Sequence, residues 1–191
     1  MSGHATIIAG FGGQGLLFAG QVLAQAAMSE GLEVSWMPSY GPEMRGGTAY
    51  CTVIVSPTAI GSPVVDVADS VIALNPPSLA KFEHLVTAGG LIVVNTSLIE
   101  AESRRADVEI AAIPCTALAR ASGHDRLASV VALGGLIARR PLVTREAIRD
   151  ALEVITGNHH PELLVADLAA FDAGLAAGGD TRSTVEVGAG A

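Results

Sequence analysis

The sequence predicts an α/β domain: a mostly parallel, doubly wound (Rossmann-like) sheet with helices on both faces and a helical C-terminal part. Three observations predict it. Short aliphatic runs alternate with longer segments of helical texture, the pattern of repeated βαβ units. A glycine-rich turn, Gly10-Phe-Gly-Gly-Gln-Gly15, stands between the first run and the first helical segment. Finally, half of the 191 residues are hydrophobic but only 4% are aromatic, so the core is built from Ala, Val, Leu and Ile, as in a sheet buried on both faces.

The elements follow in order. Ala5–Ala9 is a continuous apolar run ending in glycines, a buried strand. Leu16–Ser29 carries Leu16, Leu17, Val22, Leu23, Ala26 and Ala27 and stops at Gly31, a natural helix end. Glu33–Met37 and the β-branched Thr48–Val55 read as the second and third strands, with Val71–Leu74, Leu91–Val94 and Val108–Ile113 as later ones. Pro76–Val86 opens on prolines, as a first helical turn can. Beyond Pro114 the texture is helical. Leu127–Arg139 spaces its apolar residues by three and four around Gly134-Gly135, a pair suited to close helix contact. Thr144 can cap the next helix, although the Glu of Thr144-Arg-Glu-Ala147 sits one place early for a capping box. Pro161–Ala177 is the last helix. One domain over residues 1–177 is expected, followed by a disordered tail over residues 178–191, where Gly, Ala, Ser and Thr replace the apolar period.

Charge and composition exclude several classes. The formal net charge is −8 and no Lys/Arg cluster exceeds a pair, which argues against nucleic acid as a partner. No window reaches the roughly 18 uninterrupted apolar residues of a membrane span. The first strand starts almost at once, so no secretory signal is expected and the chain reads as cytoplasmic. Only 16% of residues are charged, which favours a subunit that hides surface in partners. Cys51 and Cys115 lie in unrelated segments and read as structural thiols. Two lone cysteines exclude a self-contained four-thiolate metal site, and the histidines show no ligand spacing, so no metal site is expected.

Two segments carry chemistry. Gly10, Gly12 and Gly15 satisfy G-x-G-x-x-G between strand and helix, where backbone N–H groups and the helix dipole favour an anion. Gln14 adds an amide that can orient a phosphate or carboxylate. A dinucleotide site would further require an acid at the end of the second strand, but Glu33 opens that strand and Trp36-Met-Pro38 closes it without one. The second segment is Ser39-Tyr-Gly-Pro-Glu-Met-Arg-Gly-Gly-Thr48. Gly41, Gly46 and Gly47 hinge it, Pro42 fixes a turn, Glu43 and Arg45 set opposite charges two residues apart, and the Arg45 fork suits two oxygens of an anion. There is no C-x-x-C set, no Ser-His-Asp arrangement, no paired carboxylate and no convincing base, so no catalytic residue is assigned.

These motifs resemble a known family. Gly10–Gly15, Ser39–Thr48, Gly61-Ser-Pro-Val64, Asn75-Pro-Pro-Ser-Leu-Ala-Lys-Phe82 and Gly89-Gly-Leu-Ile-Val-Val-Asn95 are similar to the gamma subunit (pyruvate/ketoisovalerate oxidoreductase catalytic domain) of 2-oxoacid:ferredoxin oxidoreductases over residues 5–177. The chain departs from that pattern at Leu127-Ala-Ser-Val130, where family members often carry an Asn-Met pair. The resemblance implies an oxidoreductase subunit whose reaction is 2-oxoacid, coenzyme A and oxidised ferredoxin to acyl-CoA, CO2 and reduced ferredoxin. Thiamine diphosphate with Mg2+ would lie in alpha and beta subunits, and 4Fe–4S clusters in beta and a ferredoxin-like delta subunit. The isolated chain would be inactive, and its self-association stays open.

Carried onto this sequence, Gly12, Gly13, Gln14 and Gly15 would line the anion pocket. Tyr40, Glu43, Arg45, Gly46, Gly47 and Thr48 would form a loop facing coenzyme A or a neighbouring subunit. Coenzyme A is the one cofactor this chain itself would touch, through binding or active-site closure. Two other classes remain open on the glycine-rich turn: a free-standing NAD(P)-dependent oxidoreductase and a nucleotide-sensing module.

Overall fold

The computed structural model describes residues 3–39, 48–100, 105–157 and 160–180. The strands are β1 (His4–Gly10), β2 (Glu33–Ser39), β3 (Ala49–Ser56), β4 (Ala68–Ala73), β5 (Val86–Asn95) and β6 (Glu109–Ile113). The helices are α1 (Leu16–Ser29), α2 (Pro76–Phe82), α3 (Cys115–Ser122), α4 (Ala128–Arg139), α5 (Arg145–Leu152) and α6 (Pro161–Gly179).

The strands form one six-stranded sheet in the order β2-β3-β1-β4-β5-β6. β1, β4, β5 and β6 pair in parallel, as the βαβ alternation predicts. β3 is the exception: it runs antiparallel to both neighbours and separates β2 from β1. The β-branched texture of Thr48–Val55 marks a strand but carries no information about its direction. Consecutive strands joined by a short connection pair most simply as a hairpin, and β2 and β3 do so, Ser39 opposite Tyr50. The same strand sets Gly10 opposite Ala49. Both motif-bearing segments therefore leave the sheet at the same edge, side by side.

The helices are distributed unequally. One face of β1, β4 and β5 turns Ile8, Ile72, Leu91 and Val93 into a large core with α1, α3, α4, α5 and α6. The other turns Ile7, Val71, Ile92 and Val94 against α2 in a smaller one. Alternation along each strand produces both faces from near-continuous apolar runs.

Boundaries shifted where local pattern yields to packing. β4 starts at Ala68 and β5 at Val86, both earlier than the apolar peaks, because backbone pairing continues past the last large side chain. α2 stops at Phe82 and a 3-10 turn, Glu83–Leu85, completes the expected helix. Thr144 caps α5 by accepting from the Ala147 N–H at 3.2 Å. The carboxylate that accepts from the Thr144 N–H, at 2.9 Å, belongs to Glu30 at the end of α1. A distant residue thus takes the part a capping box gives to a local acid. α6, expected to end at Ala177, runs through Gly179. Gly178 packs on Gly135 of α4, where a Cβ would come within 2.7 Å of the Gly135 Cα. Residues 181–191 lie outside the described residues.

Candidate functional site

The glycine-rich turn is held by its own atoms. The Gln14 N–H donates to Phe11 O at 3.3 Å, and the Gln14 Oε1 accepts from the Phe11 N–H at 2.7 Å. Gln14 therefore spends its carbonyl end on closing the turn and does not line the cavity outside it. Gly15, at φ 78°, is the N-cap residue of α1, and no side chain caps the helix. No acid stands in its first turn either, so the positive end of the helix is left without a side-chain counter-charge.

A cavity of about 350 Å³ opens at this point, lined by Phe11, Gly12, Gly13, Gly15, Leu16 and Arg126 among others. Gly12, Gly13 and Gly15 stand where the sequence placed them. Arg126 was missed. It sits on the 3-10 turn Asp125–Leu127 that leads into α4. Its carbonyl oxygen abuts Gly15, 2.5 Å from where a Cβ on that residue would be. Its guanidinium is exposed, and among the described residues no carboxylate pairs with it, whereas Arg120, Arg139, Arg140 and Arg149 are all engaged. In sequence it stands just before Leu127-Ala-Ser-Val130, the stretch that departs from the family pattern.

Ser129, at that same departure, is fully buried, and its Oγ would lie 2.8 Å from a Gly15 Cβ. Among the described residues this hydroxyl finds no hydrogen-bond partner. Arg126, unpaired among the described residues, and the uncapped start of α1 thus meet at one glycine-lined cavity, with the buried Ser129 hydroxyl packed against Gly15. The chemistry they share is attraction for an oxyanion.

The asparagine turns at the same edge are structural braces. Asn75 Oδ1 accepts from the Ser78 N–H at 2.9 Å and caps α2. Asn95 donates to Leu74 O and Thr116 Oγ1 and accepts from the N–H groups of Ser97 and Thr116, tying β5, β4 and α3 together.

Of the loop residues expected to face a ligand or a neighbour, Thr48 is half-buried just before β3. Tyr40, Glu43, Arg45, Gly46 and Gly47 lie outside the described residues. Cys51 is buried in the core and its thiol is pushed up to about 12 by burial, only partly offset by Trp36. Cys115, at the start of α3, is pushed up further by complete burial. Neither has thiolate character. Among the described residues no three His, Cys, Asp or Glu side chains gather as metal ligands, and no helix is long and apolar enough to cross a membrane. Glu33 opens β2 and is exposed, and β3 stands between it and β1, which removes the adjacent acid of a dinucleotide fold.

Comparison with known proteins gives this geometry a context. The chain is 42% identical over 146 residues to the ketoisovalerate oxidoreductase subunit VorA of Methanothermobacter marburgensis, covering 76% of this chain but 30% of that longer one. Among solved structures, the gamma subunit of a keto/oxoacid ferredoxin oxidoreductase from Geobacter sulfurreducens matches at a TM-score of 0.81 and 27% identity, over 92% of this chain and 98% of its own. The 2-oxoglutarate:ferredoxin oxidoreductase of Magnetococcus marinus, solved with 2-oxoglutarate, coenzyme A and succinyl-CoA bound, matches at a TM-score of 0.84 and 25% identity, over 93% of this chain and 31% of that one. The fold thus occurs both as a separate subunit and as roughly a third of a longer chain. The family model for pyruvate ferredoxin/flavodoxin oxidoreductase matches residues 5–177, from the first strand through the last helix, and the chain belongs to that family.

Proposed function

We propose that this chain is the gamma component of a multi-subunit 2-oxoacid:ferredoxin oxidoreductase and that its glycine-rich turn holds an anionic group of coenzyme A. The observation that carries the reading is the meeting of Arg126 and the uncapped start of α1 at the cavity of about 350 Å³. A relative of the same fold binds coenzyme A in its complex, which supports that ligand over other anions. In the complete enzyme, thiamine diphosphate with Mg2+ supplies the carbanion chemistry and iron–sulfur clusters carry the electrons. This chain contributes positioning: backbone N–H groups and a guanidinium hold a phosphate, and glycines let it approach the backbone. Alpha and beta subunits and a ferredoxin-like delta subunit are the expected partners, and Tyr40–Gly47 is the segment proposed to meet them or the ligand.

The test is an oxygen-free affinity purification of the tagged chain from its own cells. Co-elution of larger chains with thiamine diphosphate and iron–sulfur absorption is the expected result. A lone, colourless protein would overturn the subunit reading.

A further inference from the structure

β2 is the outermost strand on its side of the sheet, and half of its backbone faces away from β3. Alternation decides which half. Ala9 O accepts from the Leu74 N–H at 2.9 Å, so Ala9 turns its backbone groups toward β4. Its neighbours on β1 turn theirs toward β3, and following the registers across leaves Glu33, Ser35, Met37 and Ser39 bonded to β3. Val34, Trp36 and Pro38 then face outward. Pro38 fits this assignment, because it has no N–H to lose from a ladder. Among the described residues no backbone group pairs with the outward N–H and C=O groups of Val34 and Trp36.

Most of the devices that keep sheet edges apart are missing here. The register with β3 runs unbroken from Glu33 to Ser39, so no bulge twists the edge away. The strand has no lysine, and its one charge, Glu33, stands at the end. Trp36 and Met37 are 36% and 44% exposed and put apolar surface on both faces of the edge. The open ladder is short: Pro38 closes it at one end, and at the other the Leu32 N–H already donates to Ala27 O at 3.0 Å. What is left, Val34-Ser35-Trp36, is symmetric about Ser35, with one donor and one acceptor on either side. Such a stretch matches a reversed copy of itself. With Ser35 opposite Ser35 of a second copy, Val34 and Trp36 exchange hydrogen bonds in both directions at both pairs. Shifted so that Trp36 faces Trp36, Val34 would face Pro38, which cannot return the bond. The side chains agree with the first register. Trp36 meets Val34 of the second copy, an aromatic–β-branched pair that stabilises antiparallel strands. Glu33 meets Met37 of the second copy, which keeps the two carboxylates about 14 Å apart. That separation counts in a chain of net charge −8, where many self-contacts would oppose acids.

We propose that two copies of this chain pair through β2 about a two-fold axis at Ser35, joining their two six-stranded sheets into one. The contact is isologous and closes on itself, so it yields a dimer and not a fibre. It rests on the sheet edge alone and is independent of any ligand at the glycine-rich turn.

Cysteine cross-linking of the full chain tests it. At the axis the two Ser35 residues form a pair without mutual hydrogen bonds, with Cα atoms about 4.5 Å apart and within reach of a disulfide. Ser35→Cys is expected to give a covalent dimer on mild oxidation. Glu33→Cys, about 14 Å from its counterpart, should give at least about fivefold less. Mixing Glu33→Cys with Met37→Cys should restore the product. The native Cys51 and Cys115 are buried and do not compete. Ser35→Lys sets two ammonium groups face to face and should turn the dimer seen by sedimentation into monomer, with Tm unchanged. A monomeric parent chain, or equal cross-linking of the Glu33→Cys and Ser35→Cys variants, would overturn the proposal. So would a complex purified from the source cells in which the Ser35→Cys thiol is shielded yet forms no homodimer, since the edge would then belong to another subunit.

Discussion

The carbonyl oxygen of Arg126 occupies the place where a side chain on Gly15 would begin, 2.5 Å from an ideal Cβ. Gly15 also holds φ at 78°, in the left-handed region. Two independent constraints therefore meet at one residue, and Gly15→Ala violates both. We expect a loss of about 1–3 kcal/mol in urea denaturation, with the cavity deformed as well. Gly12→Ala is the control: among the described residues its Cβ would meet nothing within 4 Å, so stability should change by less than about 0.5 kcal/mol. Equal effects at the two positions would refute the account of the turn.

Arg126→Gln addresses the charge at the mouth of the cleft. The side chain is exposed and pairs with no described carboxylate, so thermal stability should shift by no more than about 0.5 kcal/mol. In the reconstituted complex the apparent affinity for coenzyme A should fall about tenfold or more, as expected for a charge-assisted hydrogen bond. Unchanged affinity, measured as KM for coenzyme A at fixed 2-oxoacid, would remove Arg126 from the site.

Gly174 lets α6 lie directly on α4, where an added Cβ would run into the Val131 carbonyl. Backbone cannot swing aside as a flexible side chain can. Gly174→Ala should therefore destabilise by about 2–3 kcal/mol, the upper part of the usual overpacking range. Gly179→Ala, with nothing within 4 Å among the described residues, should be neutral or slightly stabilising through helix propensity. The two midpoints in denaturant decide the matter.

Asn95 makes four hydrogen bonds from a fully buried side chain. Asn95→Ala leaves their partners unsatisfied and should cost about 2–4 kcal/mol, read from the shift in Tm. A loss below about 1 kcal/mol would mean that water replaces the amide and that the brace is weaker than its geometry suggests.

The pH dependence should carry the mark of Asp167. Its folded-state pKa is raised, chiefly by burial, so the native state binds this proton more tightly than the unfolded chain does. The associated stability is present below the unfolded value and declines as pH rises through the folded one. Asp167→Asn removes that decline. Relative to the parent, the variant should gain stability near neutral pH and lose the advantage in acid. Parallel stability–pH curves for the two proteins would show the carboxyl to be solvated after all.

How much of this could be read in advance depended on the range of the forces involved. The βαβ rhythm, the extent of α1, the glycine-rich turn and the Thr144 cap are local. Period, propensity and turn chemistry act within a few residues, and the linear order displays them directly. The aliphatic composition likewise required a sheet buried on both faces, and the paired motifs indicated the family. Tertiary structure decided what depends on neighbours distant in sequence. The direction of β3 follows from its pairing with both β1 and β2, and that pairing brings the two motif-bearing loops to one edge. Glu30 reaches Thr144, and α6 extends to Gly179, only because helices remote in sequence come into contact. Arg126 and Ser129 sit more than a hundred residues beyond Gly15, and no local pattern marks them. Packing of α4 and the turn before it brings the Arg126 carbonyl and the Ser129 hydroxyl onto Gly15, and the proposed anion site depends on that long-range contact.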